Sequence, residues 1–356
     1  MLMPLVKSQK IHRILIIKLS AIGDILHALP ISSALGEAFP EVELYWAVEE
    51  PFKTLLEGNP HLKGVLTFPK LNGKLFRSAK ARRDYLHRLR ELKSYNFDLV
   101  LDLQGLTKSA LISRATKAKN RLGYHWQREL AKFVNEAVPR SPESVHIVEQ
   151  YLDVARFIGA TPSKVTFPFS ISEEDDSAVF SLLQSEGIAS NSPFVSINPA
   201  SALAIKQWGA EHYAELINAL HVEGIPSALV TADKAVAQAV AERVTVPFAN
   251  LVGQTTLKQL GAVLRRSAVH VCGDTGSGHL ATAMECPVIS LVGPTDPDRA
   301  CPYGQRANVI THREACSASC TWHHCAYPQP HCMQAITVSE VTEKILSLLH
   351  QNIKPN

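Results

Sequence analysis

Apolar residues along this chain fall into short runs separated by stretches of helical spacing. Residues 14–18 (ILIIK) are one such run, followed by Ser20, Gly23 and a helical pattern. Residues 43–48 are a second, and residues 97–103 a third, interrupted by Asp98 and Asp102. Runs this short, divided by helix-length segments, predict a parallel sheet with crossover helices, because a parallel strand needs a long connection and is covered on both faces. The rhythm recurs in the second half. Residues 194–197, 227–231, 268–272 and 288–292 predict strands, and residues 210–220 predict a helix. Residues 161–175 (TPSKVTFPFSISEED) carry two prolines and little helical period, and read as a linker. Residues 338–349 predict a closing helix with Val341, Ile345, Leu346 and Leu349 on one face. The expected class is α/β, with two doubly wound Rossmann-like domains over residues 1–170 and 176–335 and a C-terminal helix over 336–356. Such sheets bind ligands beyond the carboxyl ends of their strands, so the cleft between the halves is the expected site.

Composition narrows the class. Apolar residues make up 46% and charged residues 19% of the 356, values of a globular chain and not of a disordered one. The apolar stretch 14–31 is broken by Lys18 and Asp24, too early for a span of about 20 apolar residues. No secretory leader pattern precedes it, so a cytoplasmic protein is expected. The net charge is only +3, from 36 Lys and Arg against 33 Asp and Glu. Its distribution is uneven. Nine basic residues lie between Lys70 and Lys93 (Lys70, Lys74, Arg77, Lys80, Arg82, Arg83, Arg88, Arg90 and Lys93), against Asp84 and Glu91. Clusters of this density attract anionic surfaces, although a solvated helix face is the ordinary fate of a charge run. No aromatic ladder is interleaved with them, which disfavours nucleic acid.

Four loops at predicted strand ends carry candidate chemistry. Asp24 stands after strand 14–18 at a helix start, where it serves either as an N-cap or as a general base facing a cleft. The segment Asp274-Thr275-Gly276-Ser277-Gly278-His279 joins a strand to a helix. It reads either as a glycine-rich βα turn with nothing bound or as an anion site, where glycines let backbone N–H groups approach and the helix dipole adds the positive potential that suits a phosphate. Neither GxGxxG nor GxxxxGK[ST] spacing is present, which disfavours a nicotinamide-dependent oxidoreductase and a P-loop. Gly293-Pro-Thr-Asp-Pro297 follows the next strand. Asn198-Pro-Ala-Ser201 leads to a single cation, Lys206, which reads either as an ordinary surface lysine or as a cation able to neutralise a diphosphate leaving group.

Together these segments resemble glycosyltransferase family 9, the lipopolysaccharide heptosyltransferases, and most nearly those that add the first heptose. The landmarks are residues 18–30 (KLSAIGDILHALP), 46–50 (WAVEE), 102–109 (DLQGLTKS), 206–208 (KQW), 211–213 (EHY), 274–280 and 293–297. The resemblance implies a GT-B architecture with no required cofactor or divalent metal. It implies an inverting transfer of heptose from ADP-heptose to Kdo-lipid A at the inner membrane of a Gram-negative bacterium. By that resemblance Asp24 is the base and Lys206 the phosphate contact. Ser201, Asp274, Thr275, Gly276 and His279 hold the donor, and Lys70, Lys74, Arg77, Arg82 and Arg83 meet the anionic acceptor and membrane surface. One segment departs from the family pattern. Residues 230–238 (VTADKAVAQ) lack the glycines and the ribose-holding glutamate often found there, leaving Asp233 as the acid. A GT-B transferase with another nucleotide sugar or acceptor therefore stays open, as does a non-catalytic cysteine-rich binding protein on the same scaffold.

Five of seven cysteines follow residue 300. Cys316, Cys320, Cys325 and Cys332, with His323, His324 and His331 among them, are spaced too irregularly for paired CxxC zinc motifs. A structural metal, free thiols and disulfides all remain readings of this cluster, the last disfavoured by a reducing compartment.

Overall fold

The structure is a computed structural model that describes residues 11–70, 78–190, 192–316, 320, 324–327 and 330–352. The chain divides between Ser170 and Ile171 into two compact units.

The first unit contains β1 (Arg13–Ile17), β2 (Glu43–Glu49), β3 (Leu62–Phe68), β4 (Leu99–Asp102), β5 (Asn120–Gly123) and β6 (Glu136–Ala137). They form one sheet in the order β3-β2-β1-β4-β5-β6, and every pairing is parallel. Central strands must be apolar on both faces, and β1 meets that demand: Ile14, Leu15, Ile16 and Ile17 are all fully buried. Successive residues point to opposite faces. Leu15 and Ile17 pack with Val100, with Tyr85 of the helix Ala79–Glu91 and with Ile112 of the helix Thr107–Ala115. The helices Ile22–Ala28 and Pro30–Ala38 both pack on Ile147–Phe157.

The second unit repeats the plan with β7 (Val195–Asn198), β8 (Ser227–Leu229), β9 (Ala249–Asn250), β10 (Val269–Gly273), β11 (Val288–Leu291) and β12 (Val309–Ile310). The order is β12-β11-β10-β7-β8-β9, again wholly parallel. Counted from each unit's own first strand, both sheets have the 3-2-1-4-5-6 order of dinucleotide-binding folds. Leu229 joins the core cluster beneath the helices Ala210–Val222 and Val338–Asn352, while Ala228 and Val230 join the one beneath Glu173–Ser185 and Leu257–Arg266. The closing helix buries Val341, Ile345, Leu348 and Leu349; Leu348 takes the place expected of Leu346, which is only half-buried. That stripe makes the helix part of the second unit's core and not an appendage. The expected linker 161–175 ends three residues early. Ser172 caps a helix from Glu173, its Oγ accepting from Asp175 N at 3.1 Å, and four acids in the first turn suit the helix dipole. Among the described residues no helix is long and apolar enough to cross a membrane.

Candidate active site

A 3-2-1-4-5-6 sheet has its switch point between its first and fourth strands, and ligands bind beyond the carboxyl ends there. In the first unit this is the space beyond β1 and β4. The chain leaving β1 is fixed from three sides. Leu19 N and Ser20 N both donate to Gln104 Oε1, at 2.9 and 3.2 Å. Trp46 Nε1 donates to Lys18 O at 3.1 Å. The buried Lys18 ammonium donates to Leu103 O at 3.1 Å and to Tyr151 Oη at 2.8 Å. The loop beyond β4 is set by Asp102, fully buried, whose carboxylate accepts from Gln104 N, Gly105 N, Ser109 Oγ and Asn135 Nδ2 at 2.8–2.9 Å. Burial pushes the Asp102 carboxyl up, and these donors pull it back. On this frame the helix Ile22–Ala28 starts with Ala21 as its N-cap. Asp24 is the third helical residue, exposed, its Oδ2 accepting from Ala21 N at 3.4 Å.

One pair tied to the loop after β1 was missed in the sequence. Glu49, the last residue of β2, is 2% exposed. Its Oε1 accepts from Lys108 Nζ at 2.7 Å, and the same ammonium donates to Ser20 Oγ at 2.8 Å. The residues lie within the landmarks WAVEE and DLQGLTKS. A glutamate at a strand's carboxyl end and a lysine in a helix's first turn, where the dipole disfavours it, were the available signal.

In the second unit the corresponding space lies beyond β7 and β10. Lys206 Nζ donates to Asp274 Oδ2 at 2.7 Å, and Thr295 Oγ1 donates to the same oxygen at 3.0 Å. The sequence-derived candidates Lys206, Asp274 and the 293–297 loop are therefore brought together. Lys206 ends a short turn, Ala204–Lys206, that lies against β10 because Gly273 has no side chain: a Cβ there would sit 3.3 Å from Lys206 O. The turn is anchored by the neighbouring Trp208, buried, whose Nε1 donates to Ile336 O at 2.9 Å. The landmark KQW thus combines a cation with its anchor.

The helix Gly276–Ala283 begins just past β10, and its N-cap Thr275 makes no side-chain capping bond. The first-turn N–H groups at Gly276 and Ser277 therefore open toward the switch point. Beneath them runs a buried polar chain. Ser277 Oγ meets His270 Nε2 at 3.0 Å, Thr275 Oγ1 at 2.9 Å and Asn198 Nδ2 at 2.9 Å. His270 Nδ1 meets Ser196 Oγ at 2.9 Å. Burial drives the His270 imidazole down to about 3, so it is neutral, and lifts the Cys272 thiol to about 12. His279 is buried in the same helix. Ser201 Oγ, beyond β7, is buried and has no hydrogen-bond partner. Asp233 caps the helix Lys234–Ala241 beyond β8, its Oδ1 accepting from Ala235 N and Val236 N, both at 3.1 Å.

The remaining candidates are more scattered. Lys70 is exposed just after β3, and Arg82 and Arg83 are exposed in the first turns of Ala79–Glu91; Lys74 and Arg77 lie outside the described residues. That helix buries only Tyr85, so its basic side chains face solvent. Among the four clustered cysteines, Cys320 Sγ and Cys325 Sγ are 3.7 Å apart. Burial first, then the neighbouring thiols of Cys316, Cys325 and Cys320, lift the Cys332 thiol. No disulfide links them, and among the described residues no group of three or more His, Cys, Asp or Glu is arranged to hold a metal.

Comparison with known proteins agrees with this geometry. The sequence model of glycosyltransferase family 9 (heptosyltransferase) matches residues 86–328. The lipopolysaccharide core heptosyltransferase OpsX of Haemophilus influenzae is 28% identical over 303 residues, 83% of this chain and 83% of that protein. A glycosyl transferase family 9 structure from Veillonella parvula superposes with a TM-score of 0.80 at 19% identity, covering 96% of this chain and 97% of that one. The E. coli heptosyltransferase WaaC with ADP gives a TM-score of 0.73 at 25% identity, covering 94% and 99%. The two parallel six-stranded units are the GT-B architecture. The matched region is well over half the sequence, and the chain belongs to glycosyltransferase family 9, as a heptosyltransferase of lipopolysaccharide core synthesis.

Proposed function

We propose that this heptosyltransferase moves heptose from ADP-heptose to a Kdo-bearing lipid A inner core by one inverting displacement. The observation that carries the reading is the division of groups between the two switch points. The first unit presents an exposed carboxylate, Asp24. The second presents a cation, an unpartnered hydroxyl and an uncapped helix start. Asp24 takes the proton of the acceptor hydroxyl as that oxygen bonds to the anomeric carbon. The bond from that carbon to the β-phosphate oxygen breaks, and ADP leaves from the opposite face. Lys206 and the N–H groups of Gly276 and Ser277 oppose the charge growing on the diphosphate. They do so with no metal or other cofactor required. Ser201 Oγ offers the leaving group a hydroxyl that folding leaves unsatisfied.

Within the donor loop, Asp274 acts as the anchor of Lys206 and Thr295, since its carboxylate would repel a phosphate. Asp233 keeps its second carboxylate oxygen for the ribose. The WaaC structure with ADP supports an adenine nucleotide donor. Lys70, Lys74, Arg77, Arg82 and Arg83 meet the anionic acceptor, placing the enzyme at the cytoplasmic face of the inner membrane.

The test is Asp24→Ala. Turnover should fall by about 10²–10⁴, the range of general-base catalysis, while thermal stabilisation by ADP-heptose is retained. Equal loss of both would remove Asp24 from the role of base. Stabilisation by UDP above ADP would overturn the donor.

A further inference from the structure

Beyond β5 the chain carries large apolar side chains in water. Phe133 is 86% exposed, Trp126 47% and Leu130 36%. They do not belong to a loose loop. Arg128 N donates to Gly105 O at 2.8 Å, and Arg121 Nε to Val134 O at 3.1 Å. Thr107 N donates to Glu129 Oε2 at 2.9 Å, and Asn135 is held by Asp102 and Ser113. The short helix Ala131–Val134 buries Ala131 and Val134 against Ala110. A rigid frame therefore holds Phe133 outward, where burial within the fold is forgone.

Two cations stand directly among these side chains, and the basic helix Ala79–Glu91 lies one helix away. The Arg128 guanidinium lies over the Trp126 ring, 5.4 Å from its centroid, and Lys132 is exposed between Ala131 and Phe133. Glu129, whose carboxylate accepts from Thr107 N and stays ionised, and the exposed Glu136 are the acids nearby. The helix Thr107–Ala115 packs against both this element and the basic helix Ala79–Glu91. Aromatic side chains flanked by Arg and Lys match the headgroup zone of an anionic bilayer, where amphipathic rings settle and cations meet phosphate. The patch is too small for a second copy of the chain. At about 150–250 Å² per aromatic side chain, its exposed part is roughly 350 Å², against the ~800 Å² per partner of a stable interface.

We propose that Trp126, Leu130 and Phe133, with Arg128 and Lys132, form an interfacial anchor that seats the first unit on an anionic lipid surface. This deepens the reading of a lipid-borne acceptor and rests on it for purpose, but its test uses vesicles that contain no acceptor. The full chain should sediment with phosphatidylcholine vesicles containing a third phosphatidylglycerol, and far less with phosphatidylcholine alone. The double variant Trp126→Ser/Phe133→Ser should weaken that partition by about 10-fold or more, given the apolar area removed. Its melting temperature and its turnover on a water-soluble acceptor should stay unchanged. Brominated lipids should quench tryptophan emission in the unaltered chain, and Trp126→Phe should abolish the quenching. Equal partition of chain and double variant, or no quenching, overturns the anchor. So does a dimer in light scattering that the double variant dissolves, which would assign the patch to a second copy. Loss of activity by Asp24→Ala is a separate result, so failure of the anchor leaves the transferase reading intact.

Discussion

Lys206→Met separates two effects that the ion pair with Asp274 combines. In the intact chain the pair is neutral at 2.7 Å, with side chains 13% and 21% exposed. On the proposed mechanism, removing the ammonium takes a cation from the leaving diphosphate and also uncovers the Asp274 carboxylate beside it. The first loss belongs to the transition state, where the diphosphate gains charge. One such donor is worth about 10²–10³ in kcat. The second loss acts on the bound donor. A unit charge about 5 Å from a phosphate, at an effective dielectric between about 20 and 80, repels it by roughly 1–3 kcal/mol, or about 5–150-fold in affinity. Lys206→Met should therefore lose both kcat and ADP affinity. Adding Asp274→Asn should restore most of the ADP affinity and none of kcat. Single-turnover rates and calorimetric titration with ADP give the two quantities separately. Recovery of kcat in the double variant would show that Lys206 serves only to mask Asp274. A Lys206→Met enzyme within threefold of the normal rate would remove Lys206 from the chemistry altogether.

Two further outcomes concern stability. Asp176 ties Glu173–Ser185 to Leu257–Arg266 through Arg266 and Arg265, and hydrogen bonding from Arg266 foremost holds its carboxyl down at about 2. A depressed folded pKa gives stability that is present above about pH 4 and is lost as pH falls toward 2. Discounted for solvent screening, that is about 1 kcal/mol. The urea-unfolding gap between the chain and Asp176→Asn should shrink over that window, and a constant gap refutes the assignment. His270→Leu takes the imidazole from the buried Ser196 hydroxyl, at about 1–3 kcal/mol, while Ser277 keeps Thr275 and Asn198. Because the folded imidazole stays neutral down to about 3, the histidine's contribution is full above pH 6.5 and falls by about 1.4 kcal/mol per pH unit below it. The gap between chain and variant should therefore narrow from pH 7.5 to pH 5, and an unchanged gap would show that the imidazole is not buried neutral.

The central strands were legible because they must be apolar on both faces. β1, β2, β4, β7, β8, β10 and β11 each coincide with an expected run to within two residues at either end. The outer strands were not legible, and neither was the interior β5 (NRLG), which opens on two polar residues. β3 (LKGVLTF) is only half-buried for most of its length, and β6, β9 and β12 have two residues each, too few to show any period. The helix Gly276–Ala283 begins four residues before its apolar pattern does, since its first turn is built of Gly, Ser and His. That early start turns the glycine-rich loop into an open helix end. Side-chain pairing across strands was the other blind spot. Lys206 with Asp274, and Glu49 with Lys108, are 68 and 59 residues apart in sequence. Only the parallel order of the sheets brings their strand ends together.

The two sequence readings of Asp24, helix cap and base, predict different stabilities for its removal. Asp233 and Asp296 are true N-caps. Asp233 Oδ1 accepts two backbone N–H groups at 3.1 Å, and Asp296 Oδ1 accepts Asp298 N at 3.1 Å. Each occupies the residue before the first helical turn. Asp24 stands three residues later, as the third helical residue of a capping box, and its carboxylate accepts from the N-cap Ala21 N at a long 3.4 Å. A bond of that length contributes little to the helix, and the role of N-cap belongs to Ala21, whose side chain has no oxygen to offer. Meanwhile the backbone before Asp24 is held by Gln104 and Trp46, and the Ser20 side chain by Lys108, so the helix start is fixed without help from the carboxylate. On the proposed reading, a carboxylate that adds only this long contact to an already fixed helix start keeps its exposed oxygen for the proton of the acceptor hydroxyl. The stability of Asp24→Ala should accordingly stay within about 0.5 kcal/mol of the unaltered chain, well short of the ~1 kcal/mol or more that losing a true cap costs. A larger drop in urea unfolding would return Asp24 to the helix and leave the proton without an acceptor.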